Sequence, residues 1–167
     1  MNAALTVRFG VQGNLAPRFS YPTILLDQQL IAKNFLNRAE VEAVAQRFLL
    51  DFPGVAGVYT RTQLESGTLP DVPLTTAVLR AWNRELSGDL YVIQNPFTLF
   101  GANVVTHGSP YTYDTNVPLM LLGKAWIKPG KYPQAAAVAD LAPTLSYLLE
   151  IRPPSASEGR ILEEVLK

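Results

Sequence analysis

The chain has 167 residues, 48% of them hydrophobic, which is ample apolar material for the core of one ordinary globular domain and excludes a disordered chain. Basic and acidic residues number 14 each with no dense basic cluster, so no net field recruits nucleic acid or an anionic membrane, and any anion site must be local. The absence of cysteine excludes disulfides, thiolate zinc sites and cysteine nucleophiles.

No run approaches the roughly 18 apolar residues of a membrane span. The opening MNAALTVRFG also lacks the continuous apolar core of a secretory signal. Either the chain is cytoplasmic, or an export signal lies on a segment outside this sequence. The first third offers an extended apolar stretch at residues 21–27 (YPTILLD) and then a helix with clear start chemistry. Asn37 can cap it, Glu40 stands three residues on, and Val41, Val44, Ala45, Phe48 and Leu49 follow helical spacing. The helix stops at DFPG (51–54), and GVAGVYT (54–60) is β-branched and aromatic enough for a strand.

Residues 64–73 (LESGTLPDVP) read as a turn-rich connector, after which Leu74, Val78 and Trp82 mark one stripe of a short helix. SGDLYVIQNP (87–96) is a turn entering a strand. The order is strand, helix, strand, helix, strand, which predicts an α/β sandwich unit of ferredoxin-like kind. Arg80, Arg84 and Glu85 suit a solvated face with some ion pairing, and Tyr91, Phe97 and Phe100 suit packing.

The second half changes character. THGSPYTYDTN (106–116) is polar, small and aromatic, and it runs into VPLMLLG (117–123), a continuous apolar run of the kind buried on both faces in a parallel sheet. A helix follows, with Asp140 as its cap, Pro143 in its first turn, and Leu141, Leu145, Leu148 and Leu149 as its buried stripe. A last short helix is predicted from Ser157, with Ile161, Leu162 and Val165 facing inward.

His107 is the only histidine. It lies in a loop just before the predicted buried strand, flanked by Gly108 and by the hydroxyls of Thr106 and Ser109. Loops at sheet ends are where α/β enzymes place reactive groups, although a lone histidine is equally compatible with an exposed or structural role.

THGSPYTYDTNVPLMLLG resembles a segment of alkaline phosphatase superfamily enzymes, particularly the bacterial branch related to type I phosphodiesterases and nucleotide pyrophosphatases. The resemblance continues through IKPGKY (127–132), VADLAPTLSYLLEI (138–151) and PPSASEGRIL (153–162), and upstream through PGVAGVYTRTQL and LRAWNRELSGDLYVI, so it covers essentially the whole chain. It implies an α/β, alkaline-phosphatase-like fold: residues 1–96 as an α+β subdomain of ferredoxin-like kind, and residues 97–167 as a metal-ligand loop followed by strand and helices of the core. It also implies that His107 is a zinc ligand. A neutral imidazole suits zinc, the glycine beside it lets backbone approach a crowded centre, and Asp114 is the nearest carboxylate to receive the other ring proton, or else to cap backbone amides. Asn116 stands where members often carry a basic or imidazole side chain.

The family's reaction needs more than this. Its members clamp a phosphoryl group between two zinc ions about 4 Å apart while a threonine or serine attacks. That site draws on three histidines and several aspartates, and this chain has one histidine. The resemblance therefore implies the carboxy-terminal part of a phosphate mono- or diester hydrolase, periplasmic or secreted as a whole, with no catalytic residue of its own and with no zinc or weakly held zinc when alone. The alternative is a stand-alone α+β module that kept the fold and binds a partner. In either case an uncovered apolar segment at 117–123 predicts a homodimer or a local rearrangement that covers it.

Overall fold

The computed structural model describes residues 1–69, 74–101 and 105–167, so the last four positions of the 64–73 connector lie outside the described residues. They form two compact units, Met1–Asn116 and Val117–Lys167. The sequence-based division falls at 96/97 instead. The difference arises because residues 97–116 pack on the first unit, with the Tyr111 hydroxyl donating to the Gln94 carbonyl at 2.7 Å and the Phe97 amide donating to the Tyr113 hydroxyl at 3.0 Å.

The first unit is built on a four-stranded antiparallel sheet of β1 (Arg18–Ser20), β2 (Thr23–Leu25), β3 (Val55–Thr60) and β4 (Leu90–Gln94), in the order β1-β2-β4-β3. Its helices are α1 (Asn2–Phe9), α2 (Gln28–Lys33), α3 (Arg38–Leu50), α4 (Arg61–Ser66), α5 (Thr75–Ala81) and α6 (Thr112–Thr115). Strands β2 and β3 both run antiparallel to β4 and lie on either side of it. They are thus parallel to each other across a helical crossover, the split arrangement of ferredoxin-like units.

Local chemistry explains where the elements start. The Asn37 side chain accepts from the Glu40 amide at 3.3 Å and opens α3. Thr60 and Gln63 cap each other reciprocally at 3.1 and 3.0 Å and open α4, so Leu64 belongs to a helix rather than to a connector. Alternation along β4 then separates two cores. Leu90 and Val92 join Leu5, Ile24, Val41, Ala45 and Val58, while Tyr91 and Ile93 join Tyr59, Leu64 and Val78. All five residues of β4 are buried, so the double-faced burial expected of VPLMLLG is met instead by LYVIQ.

In the second unit, residues 117–123 pair with no strand among the described residues. Val117 and Met120 are 63% and 85% exposed and Leu122 is fully exposed, while Leu121 packs on a small cluster of Leu162, Val165 and Leu166. A buried parallel strand is not a local structure, because its ladder partners and the cover for both faces must come from elsewhere, and the 51 residues of this unit supply neither.

Helix α7 (Leu141–Leu148) forms as expected, with Pro143 in its first turn, but its buried face is Pro143, Thr144 and Ser146. Of the predicted stripe, Leu141 and Leu148 are half-buried, with Leu148 packed on the Leu162 cluster, whereas Leu145 and Leu149 face solvent. The Thr144 hydroxyl donates to the Asp140 carbonyl at 2.7 Å and accepts from the Leu162 amide at 3.0 Å, so a hydrogen-bonded seam orients the helix. Asp140 ends a 3-10 turn, and its side chain does not cap α7. Its two oxygens accept from the Ala137 and Arg160 amides at 2.8 and 2.9 Å, joining the two ends of the unit. Gly159 lets the chain pass there, since a Cβ would stand 2.2 Å from the Ala139 carbonyl oxygen. The predicted helix from Ser157 shrinks to a 3-10 turn at Glu163–Val165. The unit closes with a bridge between Ile127 and Leu166.

Candidate functional site

The segment from Thr106 to Asn116 folds back on the end of β4. Tyr111, whose backbone is extended, precedes the single turn α6 and tethers it through its hydroxyl to Gln94. Asp114, within that turn, accepts from the Ser109 amide at 2.6 Å and so closes the loop that carries His107. Gly108 has φ +93 with no atom within 4 Å of a hypothetical Cβ. The glycine is therefore required by backbone conformation, not by crowding.

His107 is exposed, and its ring makes no hydrogen bond to the described residues. Thr106 is exposed as well, while Ser109 is buried. The Asp114 carboxyl is held below its usual value, first by the Ser109 hydrogen bonds and also by the Gly108 amide and the His107 charge. Loop and imidazole are thus neighbours of the carboxylate, although the carboxylate bonds backbone rather than the ring. Asn116 ends the turn, with its amide on the Thr112 carbonyl and its side chain exposed. Tyr21, close to the same place, has its phenol pushed up to about 12, first by burial and then by the neighbouring Tyr91, Tyr111, Tyr113 and Asp114.

No protein-family model matches the chain. It is 29% identical over 99% of its length to the alkaline phosphatase PafA of Elizabethkingia meningoseptica, of which it covers 30%. It is also 29% identical over its full length to a calcium-transporting ATPase of Myroides odoratus, again covering 30% of that protein. The crystal structure of wild-type PafA superposes on the whole chain with a TM-score of 0.86 at 29% identity, the chain spanning 32% of the PafA chain. The chain is similar along its whole length to alkaline phosphatases and spans about 30% of their length. Its α/β fold with a small antiparallel sheet is that of the matching part of PafA.

Against the demands of that superfamily's chemistry, the donor set in this chain is short. Among the described residues no group of three or more His, Asp or Glu side chains converges to hold a metal ion. A zinc site takes four ligands, and His107 with Asp114 turned onto Ser109 does not make one. Among the described residues the donor set does not fit the metal, and no catalytic step is routed through it.

Two groups of the site went unread in the sequence. Phe97, taken for a packing residue, is 84% exposed, and its ring stacks on Tyr113 at 4.5 Å between centroids, with Tyr111 stacked beneath at 5.6 Å. The Tyr-x-Tyr spacing before Asp114 was the available signal. Arg61 and Asp89, 28 positions apart, form a part-buried pair with no sequence signature at all.

Proposed function

We propose that this chain is the portion of a metal-dependent phosphoric ester hydrolase that presents one zinc ligand, His107, to a two-zinc centre whose nucleophile and remaining ligands lie outside its 167 residues. The observation that carries the reading is the His107 loop itself. A bare, solvent-facing imidazole sits on a loop clamped by Asp114 and Tyr111, in a chain similar along its whole length to a phosphatase. Thr106, Gly108, Ser109 and Asp114 support that loop. When bound, zinc would supply the Lewis acid that stabilises phosphoryl charge, and the chain's part is to hold one ring in place. The names of the relatives, a phosphatase and an ATPase, both describe phosphoryl hydrolysis, which supports an ester or anhydride of phosphate as substrate. We further infer a periplasmic or secreted setting for the whole protein.

The isolated chain should hydrolyse no aryl phosphate above background with or without zinc. A chimera in which it replaces the matching segment of PafA should hydrolyse it, and His107→Ala should lower the chimera's activity by at least about a hundredfold and reduce its zinc content. Equal activity and zinc content in the chimera with and without His107 would remove the reading.

A further inference from the structure

We infer that the three-ring stack Phe97–Tyr113–Tyr111 is a binding platform for a planar aromatic group, the aryl or nucleobase part of a phosphate ester. The inference rests on the proposed hydrolase reading for the identity of the ester, but not for the binding itself.

Phe97 is held in the left-handed region, φ +59, which costs a bulky residue energy that the surrounding structure must repay. The conformation turns its ring out of the core. The ring does not wander in solvent, because it lies nearly parallel to Tyr113, at 20° and 4.5 Å, and the Phe97 amide donates to the Tyr113 hydroxyl at 3.0 Å. Tyr111 lies nearly parallel below, at 18°, and is itself fixed to Gln94 at the end of β4. The stack is therefore rigid from the sheet outward and ends in a bare π-face at Phe97, which is 84% exposed.

A structural role explains this poorly. A phenylalanine needed for packing would be buried, and a residue needed only for the turn would be glycine or asparagine, which adopt this conformation at little cost. Phe35 shares the left-handed conformation and is 96% exposed but stacks on no ring among the described residues, so it is the ordered stack that marks Phe97 as a displayed face. The position has consequence because Tyr113 and Asp114 are adjacent, and Asp114 clamps the His107 loop. The same short turn thus fixes the platform and the imidazole together. Stacking on such a face tolerates any planar π-system and is indifferent to a sugar or alkyl group.

The test uses the full chain without metal and follows the ring proton resonances of Phe97 and Tyr113 by NMR. Adenosine, AMP and phenyl phosphate should each shift them, whereas ribose 5-phosphate and cyclohexyl phosphate at the same concentration should not. Phe97→Ala should weaken adenosine binding on the order of tenfold. Phe97→Leu, which keeps apolar bulk without the π-face, should weaken it nearly as much. A larger response to AMP than to adenosine would indicate phosphate held alongside the ring, and a larger response to phenyl phosphate would identify an aryl ester as the better ligand. Absence of ring shifts with all three aromatic compounds, equal shifts with cyclohexyl phosphate, or undiminished binding by Phe97→Ala would each overturn the inference. None of these outcomes depends on His107, so loss of the hydrolase reading in the chimera leaves this test intact.

Discussion

At the scale of single residues, Asp114 controls the candidate site without touching its imidazole. Its carboxylate accepts from the Ser109 amide at 2.6 Å, a charge-assisted bond that fixes the backbone on either side of Gly108. The folded state holds this carboxyl below its ordinary value of 3.8, with the Ser109 hydrogen bonds the largest cause. A depressed folded-state pKa contributes stability that is present above the unfolded value and is lost as pH falls through the folded value. Acidification from pH 4 downward should therefore release the loop, while the range above pH 5 should leave it closed. Asp114→Ala should reproduce the open loop at neutral pH, seen as faster hydrogen exchange at the Ser109 amide with unchanged exchange in β4. An equally protected Ser109 amide in the variant would remove Asp114 from this role. The two available readings of Asp114, partner to the ring proton or cap on backbone amides, were both legible in the sequence, but choosing between them required the turn α6 that points it at Ser109.

At the scale of elements, the first unit depends on a part-buried charge cluster. Arg61, at the first position of α4, donates to Asp89 at 2.9 Å, to the Arg84 carbonyl at 2.6 Å and to the Ser87 carbonyl at 2.7 Å, with its guanidinium 5.8 Å from the Trp82 ring. Asp89 also accepts from the Leu26 amide at 2.7 Å and from Gln28 at 3.1 Å, so one pair joins β2, α2, α4 and the turn into β4. A lysine at 61 has one point charge and cannot reach these three acceptors at once. Arg61→Lys should cost about 2 kcal/mol of unfolding free energy, read as a lower denaturant midpoint with an unchanged slope. No change in midpoint would mean that the cluster is solvent-compensated. This cluster left no trace in the sequence because it is assembled from four separate segments. Helices α3 and α5 and strands β3 and β4 were legible because their signals are local, Asn37 and Glu40 for α3, Val78 and Trp82 for α5, LYVI for β4, whereas the shorter α1, β1, α2, α4 and α6 were not read. Periodicity misled where burial depends on distant cover. Residues 117–123 have the composition of a buried strand without a ladder partner among the described residues, and Leu145 and Leu149 lie on a face that the hydrogen bonds of Thr144 and Asp140 turn outward.

At the scale of the whole molecule, these outward-facing side chains predict association. Val117, Met120, Leu122, Leu145, Leu149 and Ile151 are all exposed, and all belong to the unit Val117–Lys167. Soluble monomers seldom display apolar residues so densely on a short stretch, and the backbone of 117–122, unpaired among the described residues, adds donors and acceptors able to pair with another chain. The formal net charge is +0 and the isoelectric point about 6.6, so near neutral pH no long-range repulsion keeps copies apart. In the superfamily members it matches, the chain accounts for about 30% of the length, and the remainder of such a protein would compete for the same side chains. For the chain by itself, the available cover is a second copy. Light scattering across a dilution series at neutral pH should therefore show a dimer at high concentration that dissociates on dilution. Leu145→Glu together with Leu149→Glu should shift the series toward monomer without altering the stability of the sheet, because both side chains face solvent. A strictly monomeric chain at every concentration would mean that this apolar face is tolerated in water, and that self-pairing of the 117–123 segment does not occur.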